Sequence, residues 1–233
     1  MSCRSPTSGL MLFWTDRSLT IRVVLHTVQS GLRNGALESN MSRPQTFNTQ
    51  EALHKAMVVF WRKGYEATSI IDLLGATGLS KSSLYATFGG KRELFIMAFD
   101  AYRRERAKDM HRALQDGPAR LSIESFFRSL FADLNDPSES HGCMSINQAV
   151  EMAAHDLDVR QRVMEDFRLI EEALERAIER GQQDGSLGSN RNARELARLL
   201  VLAFPGLQVM ARAGYTKQDL ESALHLLLSN LDL

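Results

Sequence analysis

Between residues 81 and 91 the chain gathers side chains suited to meeting phosphates. Lys81, Ser82, Ser83, Tyr85 and Thr87 share one short stretch, and Lys91 follows a pair of glycines. Leu84 and Phe88 stand four apart among them, so on a helix they form one apolar edge and leave the polar residues to the other faces. A face of one cation, small hydroxyls and a phenol cannot hold a short helix together by itself. It suits a helix that enters a DNA groove, where hydroxyls and cations bond phosphates and base edges.

Such a helix must be positioned by what precedes it. Thr68 or Ser69 can serve as the N-cap of a short helix whose apolar stripe is Ile70, Leu73 and Leu74. Gly78 can take the left-handed backbone that ends this helix, Leu79 is an apolar plug, and Ser80 can cap the next helix. Helix, tight turn and second helix in this order have the logic of a helix-turn-helix, with the second helix in the major groove. The same spacing also fits an ordinary helical corner with a solvated polar face.

Residues 46–95, TFNTQEALHKAMVVFWRKGYEATS through GLSKSSLYATFGGKRELF, resemble the DNA-binding domain of the TetR/AcrR family of bacterial transcriptional regulators. The match rests on FWRKGYEATS closing a first helix, on LY followed by F in the recognition helix, and on GKREL opening a long fourth helix. Beyond residue 95 the similarity is architectural. The resemblance implies roles residue by residue. Lys81, Ser82 and Ser83 would meet base edges and nearby phosphates, and Tyr85 would clamp a phosphate. Lys91 and the Thr68–Ser69 pair would meet phosphates from helix N-termini. It also implies a homodimer.

The formal net charge is zero but unevenly spread: residues 41–95 hold seven basic against four acidic side chains, and the remainder after residue 95 holds 17 basic against 22 acidic. A basic end on an acidic body suits one DNA-facing surface. Cys3 and Cys143 are too few for a disulfide framework, which favours a reducing cytoplasm. No run approaches the roughly 18 apolar residues of a membrane span. Residues 1–45 lack helical periodicity. They read as an arm or extension, either an upstream segment ahead of a true start at Met41 or a disordered tail.

The rest of the chain reads as helices. The first spans about Thr49 to Lys63, and a long fourth one starts near Lys91 with Leu94, Ala98, Ala101 and Tyr102 inward and Arg103, Arg104, Arg106 and Lys108 outward. Further helices are expected over Leu121–Leu134, Cys143–Ala154, Val159–Arg180 with Gly181 as its stop, Asn192–Arg212 and Lys217–Leu231. No strand pattern appears. The expected architecture is all-α with about nine helices: a helix-turn-helix domain over 46–92, then an effector-binding and dimerisation domain over 93–233.

Phe126, Phe131, Cys143, Met144 and Phe167 would wall an effector pocket in which Asn147, Gln148 and Glu151 orient a small molecule, as helix-lined pockets are built. These amides equally suit satisfied core positions. His141 and Cys143 lack a third ligand for a metal and read better as a structural cysteine with its neighbour than as a nucleophile or sensing thiol. Leu200, Leu207, Leu220, Leu224, Leu227 and Leu228 would pair two protomers in a four-helix interface, or else close a hairpin within one. No phosphate loop, nucleophile elbow or carboxylate pair is present, so neither an enzyme nor a cofactor is expected. The expected function is a ligand-responsive regulator, a repressor, binding a palindromic operator as a homodimer. The alternative is a helical small-molecule-binding or interaction module without specific DNA binding.

Overall fold

The computed structural model describes residues 47–115, 117–131, 141–188 and 190–232, and these described residues belong to one compact unit. The expectations for the arm, Cys3 and Met41 lie outside the described residues. All regular structure among the described residues is helical. In order these are α1 (Thr49–Lys63), α2 (Ile70–Thr77), α3 (Lys81–Phe88), α4 (Lys91–Gln115), α5 (Ala119–Ser129), α6 (Met144–Glu151), α7 (Leu157–Asp184), α8 (Ala193–Arg212) and α9 (Lys217–Leu228), closed by a 3-10 turn over Ser229–Leu231. None of these helices is long and apolar enough to cross a membrane.

Local chemistry accounts for the helix starts. Asn48, Ser69, Ser80, Asp156, Asn192 and Thr216 each turn a side-chain oxygen onto backbone N–H groups of the first turn that would otherwise lack partners. Aromatic packing ties α1 to α4. Phe60 meets Phe95 edge-on with ring centroids 5.2 Å apart, and Tyr65 lies against Phe95 at 4.9 Å. Charge then ties α4 to α7. Arg103 donates to Asp100, Glu165 and Asp166 at 3.0, 2.6 and 2.7 Å, Arg162 reaches Asp100 at 2.9 Å, and Arg92 spans Asp156 and Asp158 at 2.9 and 2.8 Å. Helix α7 is the centre of the body, packing chiefly on α8 and α4 and also on α5 and α6.

Several helix boundaries differ from the sequence expectation, at α5 and α7 most clearly. Gly181 does not stop α7, which runs on to Asp184 and ends at Gly185 in the left-handed conformation (φ 76°, ψ 10°). A β-carbon at Gly181 would lie 2.6 Å from Leu187 Cγ and 2.7 Å from Ala119 Cβ. The glycine there is a close-approach residue, for which helical periodicity carries no signal. Helix α5 begins two residues early, at Ala119, and gives way to a turn after Ser129, with Phe131 buried just beyond it.

Candidate functional site

Ser69 and Asp72 form a reciprocal capping box at the start of α2: the Ser69 Oγ accepts from the Asp72 N–H at 3.1 Å while Asp72 Oδ2 accepts from the Ser69 N–H at 2.9 Å. Lys63 of α1 donates to Asp72 Oδ1 at 2.6 Å, fixing the α1–α2 corner. Gly78 (φ 72°, ψ 11°) turns the chain, Leu79 is buried in the corner, and Ser80 accepts from the Ser83 N–H at 3.1 Å to open α3. Leu84 and Phe88 anchor α3 in the core, while Lys81, Ser82 and Tyr85 are exposed and Ser83 and Thr87 are partly so. A supported short helix with a polar outer face is what the helix-turn-helix spacing anticipates.

One expected phosphate contact is placed differently, and another is held by a ring. Thr68 is 1% exposed and its hydroxyl donates to the Gly64 carbonyl at 2.5 Å, so it closes the corner from inside and does not face outward. Threonine at such a position can cap a helix or bond back four residues, and sequence does not separate the two. Lys91 starts α4 with its ammonium 4.3 Å above the Tyr65 ring and 3.4 Å from the Glu66 carbonyl oxygen. Its charge sits over the α1–α2 corner, held by the Tyr65 ring.

The Lys63 ammonium, with the Ser69 donors behind it, holds the Asp72 carboxyl at about 2, below its usual 3.8. A depressed carboxyl stabilises the folded state above its unfolded value and loses that contribution as pH falls through the folded value. The wild-type advantage over Asp72→Asn in urea unfolding should therefore be complete near about pH 6 and shrink by about pH 3. An advantage independent of pH would separate the cap from the charge.

A clamp joins this head to the body. The Glu151 carboxylate, at the end of α6, accepts the backbone N–H groups of Tyr65 and Glu66 at 3.0 and 2.9 Å and the Gln148 amide at 2.9 Å. Gly64, at φ 82°, makes room for it, since a β-carbon there would stand 2.7 Å from both Glu151 oxygens. Just before α6, the Gly142 carbonyl accepts from Trp61 Nε1 at 3.0 Å, and His141 Nε2 accepts from Arg62 Nε at 2.7 Å. Asn147 donates to the His141 carbonyl at 3.1 Å and accepts from Arg212 at 2.8 Å.

These contacts correct the expected pocket. A half-open cavity lies between α4, α5, α6, α7 and α8. Phe126, Cys143 and Phe167 line it together with Tyr102, Arg103, Arg106, Ala107, Met110, Ser145, Asp166, Leu169, Ile170 and Phe204. Phe131 and Met144 are buried in the core outside that lining, and Asn147, Gln148 and Glu151 serve the clamp instead. An eight-residue helix turns only about twice, too little for periodicity to separate a cavity face from a clamp face. Arg103 and Arg106, expected on the solvent side of α4, are half-buried in the cavity wall. The i, i+4 spacing of Tyr102 and Arg106 is the available signal, since the two lie one above the other on a helix. Burial pushes the Tyr102 phenol well above its usual range, and its oxygen accepts from the Met144 N–H at 3.1 Å. Burial likewise raises Asp166, against the opposing bonds from Ser145 and Arg103.

A three-helix head with an outward polar helix, clamped to a helical body with a largely apolar cavity, defines a helix-turn-helix regulator with an attached sensor. The model of bacterial regulatory proteins of the tetR family matches residues 52–98, and that of the tetracyclin repressor-like C-terminal domain matches residues 117–227. The HTH-type transcriptional regulator YezE of Bacillus subtilis (strain 168) is 32% identical over 194 residues, covering 82% of this chain and all of that protein. The chain belongs to the TetR family of bacterial transcriptional regulators. The transcriptional repressor ComR of Escherichia coli (strain K12) is 27% identical over 187 residues, covering 79% of this chain and 89% of that protein. A cysteine mutant of the TetR family regulator CifR, solved in complex with 26 bp of double-strand operator DNA, superposes with a TM-score of 0.71 at 26% identity, covering 82% of this chain and all of that one.

Proposed function

We propose that the chain is a cytoplasmic repressor that binds a palindromic operator as a homodimer and is released from it by a small molecule held in the cavity. The reading head is the segment over 46–92 and the sensing body the segment from 93 onward. The exposure of Lys81, Ser82 and Tyr85 on a helix whose other face is locked by Leu84 and Phe88 carries this reading. Ser69, Ser83, Thr87 and Lys91 surround that face and complete the proposed contact set. Repressor and operator appear in the names of the relative ComR and the neighbour CifR, which supports the same direction.

The leucines expected at the dimer interface lie largely inside the protomer. Leu200, Leu207, Leu220, Leu224 and Leu228 are buried inside the single protomer, and Leu227 is partly so. Helical spacing shows that two faces of α8 and α9 are apolar but not which one turns inward. The outward face carries Leu199, Leu202, Val209 and Met210 on α8 and Leu226 on α9. We infer that these residues make the two-fold contact.

A gel shift on the promoter beside the gene, repeated across salt concentrations, tests the proposal. Lys81→Ala should alter which operator variants bind, whereas Lys91→Ala should weaken all of them and flatten the salt slope by about one. Footprints identical to wild type for both variants would move the reading head elsewhere.

A further inference from the structure

The cavity holds two arginines with different fates. Arg103 spends its donors on three carboxylates, with Nε on Asp166, one terminal nitrogen on Asp100 and the other on Glu165. Asp166 is itself held by the Ser145 hydroxyl at 2.5 Å, so neither member of that pair is left for a ligand. Arg106 stands one turn along α4 from Tyr102, half-buried in the same wall, and makes no hydrogen bond or ion pair among the described residues. It lies near enough to the Tyr102 phenol to act electrostatically on it. Arg106 is thus the one arginine of the lining to which no carboxylate is bound among the described residues. The same lining carries aromatic surfaces: Phe126 and Phe204 stack with centroids 6.0 Å apart and planes 10° from parallel, and Phe167 joins them.

A guanidinium withdrawn from water without a counter-ion is unfavourable, and a carboxylate answers it with two parallel hydrogen bonds. A single charge beside an apolar, ring-lined space matches a ligand with one charged end and an apolar remainder. We propose that the cavity takes a monocarboxylate with an aromatic or aliphatic tail, its carboxylate held by Arg106 and its tail among Phe126, Phe167 and Phe204. This rests on the reading of the cavity as the effector site.

Titration calorimetry of the full chain without DNA, using 3-phenylpropionate and its uncharged amide, tests the ligand class. The acid should bind on the order of tenfold to a hundredfold more tightly than the amide, the range of a hydrogen bond to a charged group. Arg106→Gln should erase that preference, and Arg106→Lys should keep part of it, because an ammonium supplies charge without the planar fork. Equal binding of acid and amide, failure of both to bind, or an undiminished preference in Arg106→Gln would overturn the proposal. A parallel operator gel shift separates it from the reading beneath. Arg106-dependent acid binding that leaves the operator complex intact removes the regulatory role and keeps the ligand class. Release driven equally by the neutral amide does the reverse.

Discussion

Leu202→Glu is expected to leave the protomer folded but solitary, with operator affinity reduced by at least about a hundredfold. Leu202 is 78% exposed on α8 and Leu226 70% exposed on α9, so a charge at either position disturbs nothing inside one chain. In a two-fold contact the same charge is buried twice, each copy without a partner, at a cost of several kcal/mol. Since about 1.4 kcal/mol is tenfold in an equilibrium constant, the dimer falls apart, and one head reaches only one half-site. Sedimentation measures the assembly and circular dichroism the fold. Leu224→Asp supplies the contrast, because Leu224 is 2% exposed within the protomer and its replacement should unfold the chain. A folded Leu202→Glu dimer would place the interface on another surface.

The second large effect belongs to Glu151. Its carboxylate accepts two backbone N–H groups of the α1–α2 connection, and such charge-assisted bonds contribute about 1.5–3 kcal/mol each. Glu151→Ala should therefore speed hydrogen exchange at the Tyr65 and Glu66 amides by on the order of tenfold to a hundredfold, while amides in the centre of α7 stay protected. The variant should also blunt ligand-driven release of operator. Helix α6 begins beside the cavity residue Cys143 and ends on the head, so the clamp is a short, direct route between them. Ligand and operator affinities must oppose each other by the same factor if this route couples them. Unchanged exchange at both amides would show that the clamp does not hold the head.

The head is legible in the sequence because its signals are local. Ser69, Gly78, Ser80, Leu84 and Phe88 act within a turn of their own position, and each serves the role its spacing suggests. The body is legible as helices but not as surfaces. The leucines of α8 and α9 show the limit, since a helix apolar on two sides does not declare which side its own chain will cover. Gly181 reads as a stop because glycine usually breaks a helix, yet here it admits Leu187 and Ala119, one from a distant helix. Asn147, Gln148 and Glu151 read as polar groups on an apolar helix. Their partners include α8 and the connection after α1, and no spacing rule reaches that far. Arg106 reads as an outward charge because arginine on a long helix is ordinarily solvated.

Trp61 gives the joint an optical voice. Its indole donates to Gly142 and lies edge-on to Tyr102 at 5.1 Å and to His141 at 5.7 Å, where the head meets the strap leading into α6. The only other tryptophan is Trp14, so Trp14→Phe leaves one emitter at the seam. Withdrawal of the Gly142 carbonyl would admit water to the indole and redden its emission. Any parting of head and body at this seam would then be read by light alone, in real time and without a dye.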